Sequence, residues 1–149
     1  MPFAQGIRTI NVLLNNQVVT SNATPADITG FNFVLGAARK IYWALTGIFT
    51  LGATGGFRFL AHFTQSPTTY NATFNIRQET TPSVFGLVQS AESVFANAAA
   101  VAATYQLHAD GFILNGATSG TFSFQIAQNT VDANSLTMLA GATLQLWQF

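Results

Sequence analysis

The stretch FRFLAHF, residues 57–63, follows Gly55 and Gly56 and decides the fold class. Its odd positions are apolar, while Arg58 and His62 fall on the other side. Alternation with a period of two is the pattern of a β-strand that buries one face and exposes the other. The glycines before it favour a tight turn, because glycine reaches backbone conformations that other residues rarely adopt. The stretch therefore predicts a half-buried antiparallel strand.

The same alternation recurs along the chain. It is clear in residues 70–76 and 120–128, where aromatic or aliphatic side chains alternate with Asn, Thr, Ser and Gln. Turn residues recur about every 10 to 12 positions, as in an all-β sandwich or barrel. Together they predict a single all-β domain over residues 1–149. The further predicted strands are residues 7–19, 28–35, 40–49, 105–114, 136–139 and 143–149.

Residues 78–104 fit the strand pattern less well. The sequence Thr80-Thr81-Pro82 ends the preceding strand, and residues 84–88 fit a further one. Residues 90–104 contain an alanine run with high helix propensity. Two interpretations stay open for this run: a short helix, or an extended edge whose small side chains allow a neighbouring chain to approach closely.

The composition predicts an assembly. Charged residues make up 7% of the 149 residues and hydrophobic residues 49%, whereas about 25% of residues are charged in a typical soluble domain. A monomer of this mass exposes roughly 7,000 Å² of surface, which leaves about 700 Å² for each charged side chain. That area is larger than the apolar patch that a soluble monomer usually exposes. We expect other copies or a partner to cover part of the surface.

Charge and hydropathy exclude several kinds of partner. The formal net charge is zero, so no basic surface is available for a nucleic acid backbone or an anionic membrane. The longest apolar stretch, residues 94–103, is shorter than the roughly 20 residues that span a bilayer. The N-terminus has neither the basic segment nor the apolar segment of a signal peptide. We therefore expect no nucleic acid and no membrane partner, and synthesis in a host cytoplasm.

The charges are unevenly placed along the sequence. All five basic residues precede Glu79, and four of the five acids lie at or after it. One interpretation is that strands from the two halves lie side by side and their charges pair. The other is a head-to-tail contact between copies.

The inventory of reactive side chains is short. There are no cysteines, and the two histidines lack the spacing of a metal motif. Ser93, His108 and Asp110 form the best available nucleophilic set, without the glycine-flanked serine of a hydrolase elbow. The glycine-rich residues 52–56 join two strands and lack the following Lys-Ser/Thr of a phosphate-binding loop. We predict no enzyme activity, no metal and no cofactor; a small hydrolase stays open only because converging carboxylates cannot be read from a sequence.

Aromatic residues are abundant, with fourteen Phe, three Tyr and two Trp. Most are expected in the core. The remainder have two alternative uses: stacking on sugars, or forming an apolar strip for self-association.

The C-terminal third resembles a known family. Residues 105–114 (YQLHADGFIL), 120–129 (GTFSFQIAQN) and 136–147 (LTMLAGATLQLW) look like the final strands of tumour-necrosis-factor-like or complement-like jelly rolls in small virion proteins of tailed bacteriophages. The last of these segments departs from the pattern, because Ala142 replaces the usual serine after Gly141. Residues 13–24 and the following PADITGFNF, residues 25–33, are similar to the opening strands of the same proteins.

The resemblance implies a trimeric structural protein with a jelly-roll fold. Such proteins include head decoration or cement proteins, which occupy local three-fold positions of a capsid, and fibre or knob domains, which bind host surfaces. On this basis we expect an antiparallel jelly-roll sandwich with at most one short helix, which trimerises and docks on the major capsid protein at the outer surface of a phage head. Residues 1–24 would contain an attachment arm.

The alternative is a receptor-binding domain of a tail fibre or spike that recognises a host polysaccharide. A fibre usually has a coiled coil before such a domain, and no heptad run precedes this one, so decoration is favoured. The predicted contact residues, with an anchoring role, are Met1, Pro2, Phe3, Arg8, Arg39, Lys40 and Trp147.

Overall fold

A computed structural model describes residues 7–52, 56–80, 84–89, 95–97 and 101–149. These residues form strands and connecting turns, and none of them is helical. The prediction of an all-β chain is confirmed. The strands are β1 (Ile7–Val12), β2 (Gln17–Val19), β3 (Ala26–Leu35), β4 (Lys40–Leu51), β5 (Phe57–Phe63), β6 (Thr69–Gln78), β7 (Val84–Gln89), β8 (Phe95–Asn97), β9 (Ala103–Leu114), β10 (Gly120–Gln128), β11 (Leu136–Met138) and β12 (Thr143–Gln148).

The strands form two antiparallel sheets. The larger has eight strands, with the order β1-β12-β4-β9-β6-β7; β11 also pairs with β4, and β2 pairs with β11. The smaller has four strands in the order β3-β10-β5-β8. From β3 onward the chain crosses repeatedly from one sheet to the other, with the β6–β7 hairpin extending the larger sheet past β9. This winding is that of a jelly-roll sandwich, as expected from the resemblance.

The core lies between the two sheets and is largely aromatic. Trp43 of β4 contacts Phe122 and Phe124 of β10, with ring centroids 5.6 Å and 5.1 Å apart. Phe49 stacks on Tyr105 at 5.0 Å with an angle of 10° between the rings. Ring pairs at these separations add to the free energy gained from burying their area. The prediction that most aromatic residues are core is confirmed for the buried set Phe31, Trp43, Phe49, Phe57, Phe59, Phe63, Tyr70, Phe74, Phe95, Tyr105, Phe122 and Phe124.

The predicted strand over residues 7–19 is divided in the structure. Val12 pairs with Thr143, and Gln17 pairs with Met138. Strand pairing is therefore interrupted at residues 13–16 and, opposite them, at residues 139–142; these two interruptions are the opposed breaks. Backbone hydrogen bonds of 2.8 Å join Leu13 to both Ala142 and Gly141 across them. Gly141 has a φ of +91°, a conformation that disfavours side chains other than glycine's. The chain turns at this point in both segments, and a single strand over residues 7–19 was therefore wrong.

Part of the predicted attachment segment, residues 1–24, belongs to the larger sheet. Residues 7–12 pair with β12 and residues 17–19 pair with β11. Residues 1–6 lie outside the described residues. The attachment role of this segment stays a prediction.

The described part of the alanine-rich run, residues 90–104, contains strands and no helix. Residues 95–97 pair with β5, and β9 begins at Ala103; residues 90–94 and 98–100 lie outside the described residues. Phe95 is buried, with its ring 5.9 Å from that of Phe57 and 5.4 Å from that of Phe74. Burying this ring in the sandwich accounts for strand rather than helix at residues 95–97.

Tyr105 should make the fold sensitive to alkaline pH. Burial raises the pKa of Tyr105, while a hydrogen bond to Val101 opposes that rise; the hydroxyl donates to the Val101 carbonyl oxygen at 2.7 Å and accepts from its amide at 3.0 Å. Because the pKa is higher in the folded state, the unfolded chain releases the proton first. Folding stability should fall as pH rises through about 10, the unperturbed tyrosine value.

Urea unfolding midpoints of the wild type and Tyr105→Phe between pH 7 and 11 test this prediction. At pH 7 the variant should be less stable by about 1 kcal/mol, because its hydrogen bonds are lost. Above pH 10 this difference should shrink. Tyr42→Phe removes an exposed hydroxyl and serves as the control; an unchanged difference for Tyr105→Phe at high pH would contradict the assignment.

Candidate functional site

The outer face of the larger sheet carries a line of aromatic side chains, here called the aromatic row: Trp147, Tyr42, Phe112 and Phe149. Strand register aligns Trp147 with Tyr42 and Tyr42 with Phe112. The Tyr42 ring centroid is 5.1 Å from that of Phe112 and 6.1 Å from that of Phe149. Tyr42 is 52% exposed and Phe149 46%. The row crosses three neighbouring strands and is open to contact.

Apolar side chains extend the aromatic row along the edge strand β1. Ile10 pairs with Gln145 and Val12 pairs with Thr143, and both aliphatic side chains are exposed. Isolated exposed aliphatic residues are common on protein surfaces. Here Ile10 and Val12 follow Arg8 on the same face of β1, and apolar side chains gathered beside aromatic ones are typical of the core of protein interfaces.

Three of the predicted contact residues meet at the aromatic row. Arg8 is aligned with Trp147, and its guanidinium carbon lies 5.7 Å from the indole centroid, a cation–π distance. Arg8 also donates to Oε1 of Gln145 at 2.9 Å. Lys40 exchanges two backbone hydrogen bonds with Phe149.

The other predicted contact residues do not join this group in the described structure. Arg39 is exposed in the turn before β4, where its carbonyl oxygen accepts from the Asn115 amide at 2.9 Å. Met1, Pro2 and Phe3 lie outside the described residues. Their contact roles stay predictions.

A groove opens at the other end of the same outer face, with polar side chains projecting from a lining that is mostly apolar. Its volume is about 620 Å³, within the range of small-molecule sites. Thr46, His108 and Asn75 form one cross-strand row of its floor, and Ile48, Gln106 and Arg77 form the next. We call these six side chains with the adjoining turn of residues 139–142 the polar groove.

The turn forms a closely packed wall of the polar groove. A Cβ placed on Gly47 would lie 2.8 Å from Cβ of Ala142 and 3.3 Å from Sδ of Met138, so the turn approaches β4 closely. The Ala140 amide donates to Oδ1 of Asn16 at 2.8 Å, and the backbone hydrogen bonds between the two opposed breaks hold the turn from behind. The wall is therefore held in place without a ligand.

The polar side chains of the groove are available to a ligand. Within the described part of the chain, the side chains of Thr46, Asn75, Arg77 and Gln106 make no hydrogen bond or ion pair. All four are exposed. A surface that gathers hydrogen-bonding groups of this kind at one concave place has the properties of a binding site.

Several charged side chains bond to neutral groups rather than to each other. Arg58 donates to Oδ1 of Asn129 and to the Ala23 carbonyl oxygen, both at 3.1 Å. Asp27 accepts from Ser123 Oγ at 2.7 Å and from Gln125 Nε2 at 2.9 Å. The interpretation that the charges of the two halves of the chain pair is wrong for Arg58, because neighbouring segments place an amide oxygen and a carbonyl oxygen next to it.

The candidate catalytic set is only partly visible. His108 Nε2 lies 3.6 Å from Oδ1 of Asp110, on the exposed outer face, with both side chains more than half exposed. Ser93 lies outside the described residues. The contact is longer than the 2.6 to 3.2 Å, roughly, of a catalytic hydrogen bond. At that length and exposure it is a solvent-exposed surface contact rather than the hydrogen bond of an activated base.

Within the described ranges, no group of three or more His, Asp or Glu side chains could hold a metal ion. Nor does that part of the chain contain a helix of the length and apolarity needed to cross a membrane.

Sequence reasoning missed the polar groove. Gln106 is about thirty positions of sequence from Asn75 and Arg77, and only the pairing of β6 with β9 brings it to them. The available signal was that each lies on the polar face of a predicted strand. That signal does not specify which strands are neighbours.

Comparisons with known proteins found little similarity. No protein-family model matches the chain, and no curated protein matches its sequence. Among solved structures, the chain is similar to one chain in the structure of infectious bursal disease virus, Gx strain, with 8% identity and a TM-score of 0.26. The match covers 96% of this chain and 40% of the viral chain. At this level the match supports no functional argument, and function must be argued from this chain's own surface.

Proposed function

We propose that the protein is a virion structural protein without enzyme activity: a decoration protein that forms a homotrimer and docks on the major capsid protein at the outer surface of a phage head. The observation that carries the proposal is the aromatic row with its aliphatic border. The sequence resemblance to phage jelly rolls supplies the virion context.

The aromatic row favours contact between copies. Tyr and Trp, with Arg beside them, are the residues that contribute most binding energy at protein interfaces. Here Trp147 and Tyr42 are aligned on adjacent strands, and Arg8 lies against the indole. A charged fraction of 7% leaves few ionised groups that would oppose burial. Closed rotational symmetry allows every copy to bury the same surface.

Binding of the trimer to a capsid would stabilise the shell by mass action, because the partner binds only the assembled form. Arg39, Lys40 and the N-terminal residues Met1, Pro2 and Phe3 are the anchoring groups in this proposal. The two cationic side chains suit a capsid surface that carries carboxylates. The N-terminal residues add apolar side chains to the same set.

Replacing Tyr42 with glutamate should break self-association. Sedimentation velocity of the wild type should give a trimer, whereas Tyr42→Glu should associate more than tenfold more weakly, since burying an unpaired carboxylate in place of an interface aromatic costs at least about 2 kcal/mol. Phe149→Glu tests the same surface at its end. Circular dichroism verifies that both variants fold.

Val34→Glu is the matched control, because Val34 is an apolar residue on the smaller sheet that is still more exposed than Tyr42 and Phe149. It should leave the trimer intact. A wild type that is monomeric at high concentration would contradict the proposal. A trimer that persists in both Tyr42→Glu and Phe149→Glu would contradict it as well.

The second candidate is a fibre or spike domain that recognises a host polysaccharide. The polar groove favours it, because the groove exposes unpaired amide, hydroxyl and guanidinium groups. The number of copies in purified virions separates the candidates: hundreds per particle support head decoration, and a few tens or fewer support a tail position.

A further inference from the structure

We propose that the polar groove binds a saccharide that carries a carboxylate. The inference goes beyond the decoration role and rests on the second candidate, polysaccharide recognition, for which it names the ligand class. It does not depend on the oligomeric state. It depends on the chemistry of the groove floor, on the apolar side chains at its margin, and on its fixed wall.

The groove floor is rich in hydrogen-bond donors. Arg77, Asn75 and Gln106 together present a guanidinium fork and two amide groups, and Thr46 adds a hydroxyl. None of the residues that line the groove is an aspartate or a glutamate. A set of donors with an unpaired arginine selects a ligand with acceptor oxygens and a negative charge. A carboxylate matches the planar fork of arginine in two parallel hydrogen bonds.

The apolar groups of the groove favour a sugar over a simple anion. Ile48 is 43% exposed on β4, and Leu139 borders the groove from the opposite turn. These side chains can contact the C–H face of a pyranose ring while Asn75 and Gln106 bond its hydroxyl groups. A bare anion would leave the aliphatic contacts unused, and a volume of about 620 Å³ is much larger than such an ion needs.

The neighbouring charges locate the carboxylate within the groove. Asp110 lies one row beyond His108 and contacts it at 3.6 Å, so negative charge is unfavourable at that side. Arg77 lies on β6, two rows from Asp110. Glu79 comes two residues later, just past the end of β6, and it forms no ion pair with Arg77, so the guanidinium stays available to a ligand. The ligand carboxylate is therefore assigned to Arg77, the arginine of the groove, and the hydroxyl groups of the sugar to Asn75, Gln106, Thr46 and His108.

The experiment is isothermal titration of the full chain with a trimer of galacturonic acid. Maltotriose serves as the neutral sugar, and inorganic phosphate serves as the simple anion. Saturable binding of the galacturonic acid trimer is expected, with maltotriose about tenfold weaker, because it lacks the charge-assisted hydrogen bonds to Arg77. Phosphate should bind weakly or undetectably.

Arg77→Gln should weaken galacturonate binding about tenfold and leave maltotriose unaffected. Arg39→Gln is the matched control, since it removes an equally exposed arginine outside the groove. Gln106→Ala should weaken both sugars, which a purely ionic site would not show. Circular dichroism verifies the fold of each variant.

The proposal is overturned if the galacturonic acid trimer does not bind, or if Arg77→Gln binds it as tightly as Arg39→Gln does. It is also overturned if maltotriose or phosphate binds the wild type as tightly as the galacturonic acid trimer does. Sedimentation of the same samples separates this result from the decoration proposal. A monomer that binds galacturonate would contradict only the self-association proposal. A trimer that binds no sugar would contradict only the proposal of a saccharide site.

Discussion

Gly111→Ala is expected to destabilise the fold by about 3 kcal/mol or more. Gly111 lies in the middle of β9, between Trp43 of β4 and Ala72 of β6. A Cβ at this position would overlap the carbonyl oxygen of Asn71 and lie 2.6 Å from Cζ2 of Trp43. The first of these atoms belongs to the backbone and the second to a fully buried ring, so neither can move without disturbing the β6–β9 ladder or the core.

Urea unfolding followed by tryptophan fluorescence measures this effect. Gly116→Ala is the matched control, because a Cβ there meets only Thr68 Oγ1 at 3.5 Å, an ordinary contact. It should change the free energy of unfolding by less than about 1 kcal/mol. If Gly111→Ala proves as stable as Gly116→Ala, the close approach of Trp43 to β9 is incorrect.

Gln128→Glu is expected to cost about 3 kcal/mol at pH 8. The Gln128 side chain is 1% exposed and joins two loops. Its amide nitrogen donates to the carbonyl oxygens of Asp132 and Asn134 at 3.1 Å and 2.5 Å, and its oxygen accepts from the amides of Asn22 and Asp132. Glutamate would keep the acceptor but place a buried carboxylate oxygen against two carbonyl oxygens.

The penalty should depend on pH. Burial and the facing carbonyl oxygens would raise the pKa of the new carboxyl in the folded state above the unfolded value of about 4.3. The loss of stability is then complete above the raised pKa and disappears as pH falls below about 4, where both states are protonated. Unfolding midpoints at pH 8 and pH 5 measure this loss of stability, and the exposed variant Gln65→Glu is the control. Equal losses of stability for the two variants at pH 8 would contradict the role of Gln128.

The strand pattern was predictable because it depends on short-range alternation. Residues 57–63 are β5 at the predicted bounds, and β10 likewise matches residues 120–128. In each, the period of two directly reflects which side chains enter the core. The break between β1 and β2 was not predictable, because it follows from the opposed turn at Gly141, more than 120 residues away.

The candidate site was predictable only in part. Arg8, Lys40 and Trp147 were expected at contacts, and the structure brings them to one aromatic row. Tyr42 and Phe112 were not singled out, because as aromatics on alternating strands they resemble core residues until the inner and outer faces are known.

Composition and periodicity determined the class of this protein: an all-β chain with an aromatic core and a charged fraction of 7%. Local sequence can specify these properties because each residue contributes to them independently of distant partners. Only the tertiary structure decided which strands are neighbours. The register of β4, β9 and β6 places Arg77, Gln106 and Ile48 in one row, and pairing between distant segments depends on the packing of the whole sandwich rather than on any one stretch of chain.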